Sequence, residues 1–198
     1  MVWFLEALWS LVDKGRSLIM KEEPSEAHQD PNSSLSETEL LSALRSSRPI
    51  RTFCRQDSLN LSGLSLSPDD CSQLAKAAQN GKAPTRLMLV DCRLDAEGLK
   101  PLAQAFIYPQ QLCLSRNAIG DAGARLVCDA LCQNDCRIQD LGLCGNQLTD
   151  DVVPYLCSAI RKNESLQNVW LWDNHFNDKE KRDLKGLEFA KSRLEVHV

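Results

Sequence analysis

Five segments of this chain repeat one pattern, and their spacing leaves few folds open. Residues 87–94, 112–119, 141–148 and 169–176 follow L-x-L-x-x-[N/C]-x-L, with Val169, Ile119 and Phe176 as apolar substitutes. Residues 59–66 form a fifth, with Leu64 where the others place Asn or Cys. Aligned on that slot, Leu64, Cys92, Asn117, Asn146 and Asn174 lie 28, 25, 29 and 28 residues apart. Side chains alternate along a strand, so the two leucines of L-x-L point the same way. One such unit cannot bury them alone; stacked units can, each touching only its neighbours.

A helical run follows every segment: residues 68–79, 95–106, 120–131, 149–160 and 178–187. Each unit therefore pairs one short strand with one helix. Packed helices stand about 10 Å apart and paired strands about 4.8 Å apart. The two sides of the stack cannot match, so it bends, with a parallel sheet on the inner face. The Asn or Cys turns the chain out of the strand. A buried Asn amide there can bond the free backbone groups of adjacent turns and form a ladder. Cys can fill the slot as a small, weak donor. Leu64 cannot, so the first rung is expected to be less regular. The run from Arg193 to Val198 reads as one more strand.

These repeats resemble the ribonuclease-inhibitor subfamily of leucine-rich repeats, also found in the sensing region of NOD-like receptors. The core pattern carries the likeness, with the helix entry Gly120-Asp121-Ala122-Gly123-Ala124, its variant Asp95-Ala96-Glu97-Gly98-Leu99, and the helix end Asp129-Ala130-Leu131. The likeness covers residues 58–198 and implies an α/β leucine-rich repeat solenoid. It also implies binding of a protein partner on the concave face. No nucleotide-binding module precedes the repeats in these 198 residues, so the receptors' nucleotide switch is not expected.

Ahead of the repeats, Met1, Phe4, Leu5, Leu8, Leu11, Val12, Leu18 and Ile19 recur at helical spacing. Residues 1–20 thus read as an amphipathic helix widened by Trp3 and Trp9. Glu6 interrupts the apolar run and no Lys or Arg precedes it, which argues against a signal peptide. The helix has two readings: a cover for the open end of the domain or a partner, and an anchor on a membrane or organelle surface. Residues 21–34 are polar, contain Pro24 and Pro31, and read as a flexible linker. Residues 35–57 read as an N-terminal capping region, with a capping-box helix over about 36–45 and a degenerate rung at 50–54. Residues 58–198 are the repeat domain.

Composition narrows the function classes. A net charge of −4 argues against nucleic acid as ligand. Nine cysteines, an odd number scattered through repeats, point to free thiols in a reducing, cytoplasmic setting rather than a disulfide framework. Cys128, Cys132 and Cys136 stand at i, i+4, i+8, which is not the C-x2-C spacing of structural zinc sites. His28, His175 and His197 are scattered, and no nucleophile–base arrangement or phosphate loop appears. No enzyme activity, cofactor, metal or small-molecule substrate is expected. The N-x-S sequons at Asn32, Asn60 and Asn163 read as chance.

What remains is a display surface with an adaptor or regulatory role. Positions alternating with the leucines face inward: Arg86, Met88, Val90; Gln111, Cys113, Ser115; Asp140, Gly142, Cys144; Asn168, Trp170, Trp172; Arg193, Glu195, His197. Large aromatics dominate binding hot spots. Trp170, Trp172 and Asp173 are the expected contact patch, with Asp140, Arg86 and Arg116 as polar partners. The competing reading packs both rings over the last rung.

Overall fold

A computed structural model describes residue 42 and residues 57–79 and 83–198. The chain divides into two units, Met1–Ser34 and Leu35–Val198, and every described residue lies in the second. The expected helix at 1–20, the linker at 21–34 and the strand-like 50–54 fall outside the described residues. Of the expected helix at 36–45 only residue 42 is described, and it is helical.

Six strands form one parallel sheet in chain order. They are β1 Ser58–Asn60, β2 Arg86–Met88, β3 Gln111–Cys113, β4 Asp140–Gly142, β5 Asn168–Trp170 and β6 Glu195–His197. Between them run α1 Pro68–Ala77, α2 Ala96–Ala103, α3 Gly120–Leu131, α4 Val153–Lys162, α5 Asp178–Lys185 and the short α6 Leu187–Ala190. A 3-10 turn, Asp150–Val152, leads into α4. The architecture is an α/β leucine-rich repeat solenoid, with the sheet on the inner side and the helices on the outer.

The register places Leu59, Leu87, Leu112, Leu141, Val169 and Val196 in one line. All are buried, as are Leu61, Leu89, Leu114, Leu143 and Leu171 two residues on. The third apolar position of each repeat, Leu66, Leu94, Ile119, Leu148 or Phe176, joins the same core. Full burial of a leucine side chain stabilises by about 2 kcal/mol, and only the stack makes it available.

The slot residues satisfy the backbone where the chain leaves each strand. Asn117 Oδ1 accepts from the amides of Cys92 (2.9 Å) and Leu94 (3.0 Å) in the preceding rung. Its Nδ2 donates to the carbonyls of Leu89 and Leu114, both at 2.8 Å. Asn174 repeats this on Asn146 N (3.0 Å) and Leu148 N (3.1 Å). Cys92 donates its thiol to the Leu61 carbonyl at 3.1 Å. The first rung keeps the strand register, but its exit differs as expected: the Leu64 amide turns back to the Leu61 carbonyl at 3.2 Å instead of reaching an Asn of the next rung. Leu61, Gly63 and Leu66 donate to Met88, Val90 and Cys92 of the next rung. The slot side chain serves the rung before it, so Leu64 leaves these forward bonds untouched.

A second irregularity falls at the third rung. Three residues past the slot, the helix is capped by Ser67, Asp95, Thr149 or Asn177, each accepting from a backbone amide of the first turn. In the third rung that position is Gly120, and no side chain caps α3. Gly120 takes φ +57° and its amide donates to the Asn146 carbonyl at 3.1 Å. Asn146 Oδ1 is then buried with no hydrogen-bond partner. Its Nδ2 still donates to Leu114 O (3.0 Å) and Cys144 O (3.2 Å). A second link ties the entries together: Asp121 accepts from Thr149 N at 2.8 Å, and Asp150 from Asn177 N at 2.9 Å. Gly123 is required by close approach, since a Cβ there would sit 2.6 Å from Ile119 Cβ.

Two substitutions in the same slot should therefore differ. Asn117→Ala strands two buried amides and should lower unfolding free energy by about 3 kcal/mol. Asn146→Ala removes no acceptor in use and should cost about 1 kcal/mol. Urea titration of both variants checks the difference; equal losses would count against the assignment.

Candidate functional site

Three columns of side chains line the inner face, and they differ in chemistry. The first holds Arg86, Gln111, Asp140, Asn168 and Glu195. Asp140 is committed within it: Oδ2 accepts from Gln111 Nε2 at 2.8 Å and Oδ1 from Asn168 Nδ2 at 2.7 Å. The second column holds Met88, Cys113, Gly142, Trp170 and His197. The third continues beyond the strands as Val90, Ser115, Cys144 and Trp172. Met88, Val90, Cys113, Ser115, Cys144 and Trp170 are all buried.

The last strand corrects the expected register by two residues. Glu195, not Arg193, stands beside Asn168, and His197 stands beside Trp170. Arg193 falls in the turn before β6. The two tryptophans consequently differ. Trp170 stacks on the His197 ring, with centroids 5.4 Å apart and planes 5° apart, and is only 2% exposed. The expectation of an open ring at Trp170 is not met. Trp172 meets the same imidazole edge-on at 5.7 Å and 72° and remains 41% exposed.

Beside the third column the backbone turns out of the sheet. The residue before each slot has a positive φ: Gly63 +84°, Asp91 +53°, Arg116 +59°, Gly145 +62° and Asp173 +57°. Glycine adopts this region freely, whereas other residues are strained in it. Arg116 and Asp173, both exposed, flank Gly145 from the rungs on either side. A Cβ on Gly145 would lie 3.4 Å from Asp173 Oδ2 and 3.7 Å from Arg116 Cα. Of the six expected residues, Asp173 and Arg116 come near each other across Gly145, and Trp172 is the exposed neighbour of Asp173 in the chain. Asp140 sits in the first column. Arg86 lies two strands away from Asp140, about 10 Å across the sheet. His197, which both indole rings touch, was missed, because only the strand register brings it to them.

The described cysteines are packing groups. The eight described are all free, and only Cys132 is less than fully buried. Burial pushes the thiols of Cys71 and Cys144 up to about 11, and those of Cys92 and Cys128 up to about 12. Among the described residues no cluster of His, Cys, Asp and Glu could hold a metal ion. Asn163 of the third sequon is buried, donating to Leu131 O at 2.9 Å and accepting from Leu166 N at 2.8 Å. No helix among the described residues is long and apolar enough to cross a membrane.

Register, slot ladder and inner-face columns together define a leucine-rich repeat protein. Its repeats are similar to those of the ribonuclease-inhibitor type. No protein-family model matches the chain. Mouse (Mus musculus) ribonuclease inhibitor is 33% identical over 101 residues, covering 50% of this chain and 22% of that protein. Human (Homo sapiens) NLR family member X1 is 30% identical over 112 residues, covering 56% and 12%. Human NACHT, LRR and PYD domains-containing protein 14 is 34% identical over 125 residues, covering 59% and 11%. The chain thus spans between 11% and 22% of the length of these three relatives. Among solved structures, Leiomodin-1 Actin-Binding Site 2 superposes with a TM-score of 0.55 at 15% identity, covering 81% of this chain and 94% of that one. The Caenorhabditis elegans tropomodulin C-terminal domain gives 0.56 at 16%, covering 80% and 93%. At such identity these two show the fold.

Thiol burial has a measurable consequence. Among the described cysteines, iodoacetamide at pH 8 should label Cys132 first, with the other seven resisting until the chain unfolds. The raised values favour the neutral thiol in the folded state. That stabilisation is complete below the ordinary value of 9.0 and is lost as pH rises toward 11 to 12. Peptide mapping against alkylation time checks the order; early labelling of Cys92 or Cys128 would contradict it.

Proposed function

We propose that this chain is a non-enzymatic protein-binding module that holds a protein partner on the inner face of its repeats, in an adaptor or regulatory role. The observation that carries the reading is Trp172. A large aromatic side chain stands 41% exposed on the sheet side, held edge-on by His197 and flanked by the charges of Asp173 and Arg116. Aromatic and arginine side chains on a rigid support are the usual anchors of protein recognition. The support is already ordered, so little conformational entropy is lost on binding. Trp170 holds the anchor from below, by fixing His197. Asp140 organises the neighbouring polar column, and Arg86 marks its far end.

Two further facts favour this reading. One relative carries the name of an inhibitor of another protein, a ribonuclease. Free, buried thiols suit a reducing, cytoplasmic compartment. The backbone adds a discriminating feature. Arg116 holds φ +59°, where glycine would be relaxed, so its side chain is kept at a conformational cost of about 1 kcal/mol.

The test is affinity capture with the intact chain and three variants, with melting curves alongside. Trp172→Ala should reduce partner recovery at least about tenfold while leaving stability within about 0.5 kcal/mol. Arg116→Gly should weaken binding and leave stability unchanged or up to about 1 kcal/mol higher. Trp170→Ala should instead destabilise by about 3 kcal/mol. Equal recovery for folded Trp172→Ala and Arg116→Gly would remove the patch from consideration.

A further inference from the structure

The last strand of a sheet presents a row of unpaired backbone groups to any extended chain. In β6 two of the three residues face β5. Glu195 N–H donates to the Gln167 carbonyl, and Leu171 N–H donates to the His197 carbonyl, both at 2.7 Å. Alternation along the strand then turns the N–H and C=O of Val196 outward. Both are taken by side chains of the preceding segment. Glu188 Oε1 accepts from Val196 N at 2.7 Å, and Lys185 Nζ donates to Val196 O at 2.9 Å. Lys185 and Glu188 also bond each other at 2.7 Å, which closes a ring around the one outward-facing residue of β6.

The local chain is built to make this reach. Lys185 ends α5, Glu188 lies in α6, and Gly186 separates the two helices. A Cβ at Gly186 would meet the carbonyls of Arg182 and Asp183, each at 3.3 Å. Glu188 holds its negative charge well, because the hydrogen bond from Lys185, then that from Val196 N, lowers its pKa from the ordinary 4.5. In the other rungs the residue aligned with Val196 faces a following strand. Here one acceptor and one donor from side chains occupy that place. The neighbouring Phe189 is 95% exposed, so this end also carries an uncovered apolar ring.

We propose that Lys185 and Glu188 form a plug that stands in for a seventh strand and prevents β6 from pairing with β6 of a second copy of this chain. Two such edges, related by a two-fold axis, would exchange Val196 N–H and C=O in an antiparallel pair. The two Phe189 rings would add apolar contact beside it. The ion pair matters here for occupying those two backbone groups, more than for its Coulomb energy at the surface.

The experiment uses the full chain and the double variant Lys185→Ala/Glu188→Ala, with light scattering across a concentration series and amide exchange at Val196. The wild type should show no β6 pairing, and Val196 should be protected at every concentration. The double variant should dimerise as concentration rises. In dilute solution its Val196 amide should exchange about tenfold faster. Identical mass and exchange in the two proteins would overturn the proposal, as would wild-type protection at Val196 that vanishes on dilution. If the double variant does not fold, Glu188→Ala alone removes the acceptor from Val196 N–H and leaves Lys185 in place. Faster Val196 exchange in that variant supports the plug, and unchanged exchange overturns it.

Discussion

A rung of this solenoid contains three strand residues and cannot keep water from its own leucines. Everything else follows from the need to set the next rung against it. The leucines at the first and second apolar positions are buried only because their counterparts in neighbouring rungs cover them. Contacts run from each element to its neighbour in the stack. Stability in such an array is close to a sum of nearest-neighbour terms. Backbone polarity at the exits from the strands is then the decisive local problem. There the chain stops pairing while still buried, and an unmet amide costs about 1–3 kcal/mol.

Two devices meet that problem together. A residue in the left-handed region turns the chain, and the next side chain, Asn or Cys, takes up the amides and carbonyls that the turn exposes. The third rung shows how closely these depend on the helix cap. With Gly120 at the capping position, the chain enters α3 through a backbone bond to Asn146, and the Asn146 acceptor has nothing to receive. Its counterparts Asn117 and Asn174 each accept from two amides. One missing side chain at a cap thus propagates into the ladder of the adjacent rung.

The periodic features of the fold were legible because each has one dominant cause. The leucine columns, the strand–helix alternation and the Asn ladder all follow from the repeat spacing. Cap positions could have been read the same way, from Ser67, Asp95, Thr149 and Asn177 at a fixed offset from the slot. The last strand was legible in kind but not in register. The run from Arg193 to Val198 alternates without an Asn or Cys slot to anchor it, so a shift by two residues preserves the inward–outward pattern. That shift decides the site. Once His197, rather than Glu195, stands beside Trp170, the imidazole lies flat on one indole and edge-on to the other. Identical residue types two positions apart then separate into a buried ring and an exposed one.

The left-handed residues at the exits from the strands are not all of one kind. Gly63 and Gly145 make the turn with no side chain, which shows that the fold asks for nothing more at those places. Arg116 and Asp173 make the same turn with side chains that are exposed. Neither is among the ion pairs found for the described residues. Asp91 makes the turn in the same way and is also exposed, so an exposed charged residue stands at this place in three rungs. Strain of this kind persists where the surrounding structure fixes it. The absence of a side chain at Gly145 completes the arrangement, since it leaves the space into which Arg116 and Asp173 lean from either side. Gly145, which makes its own turn without strain, thus lies between the two charged residues of the neighbouring rungs.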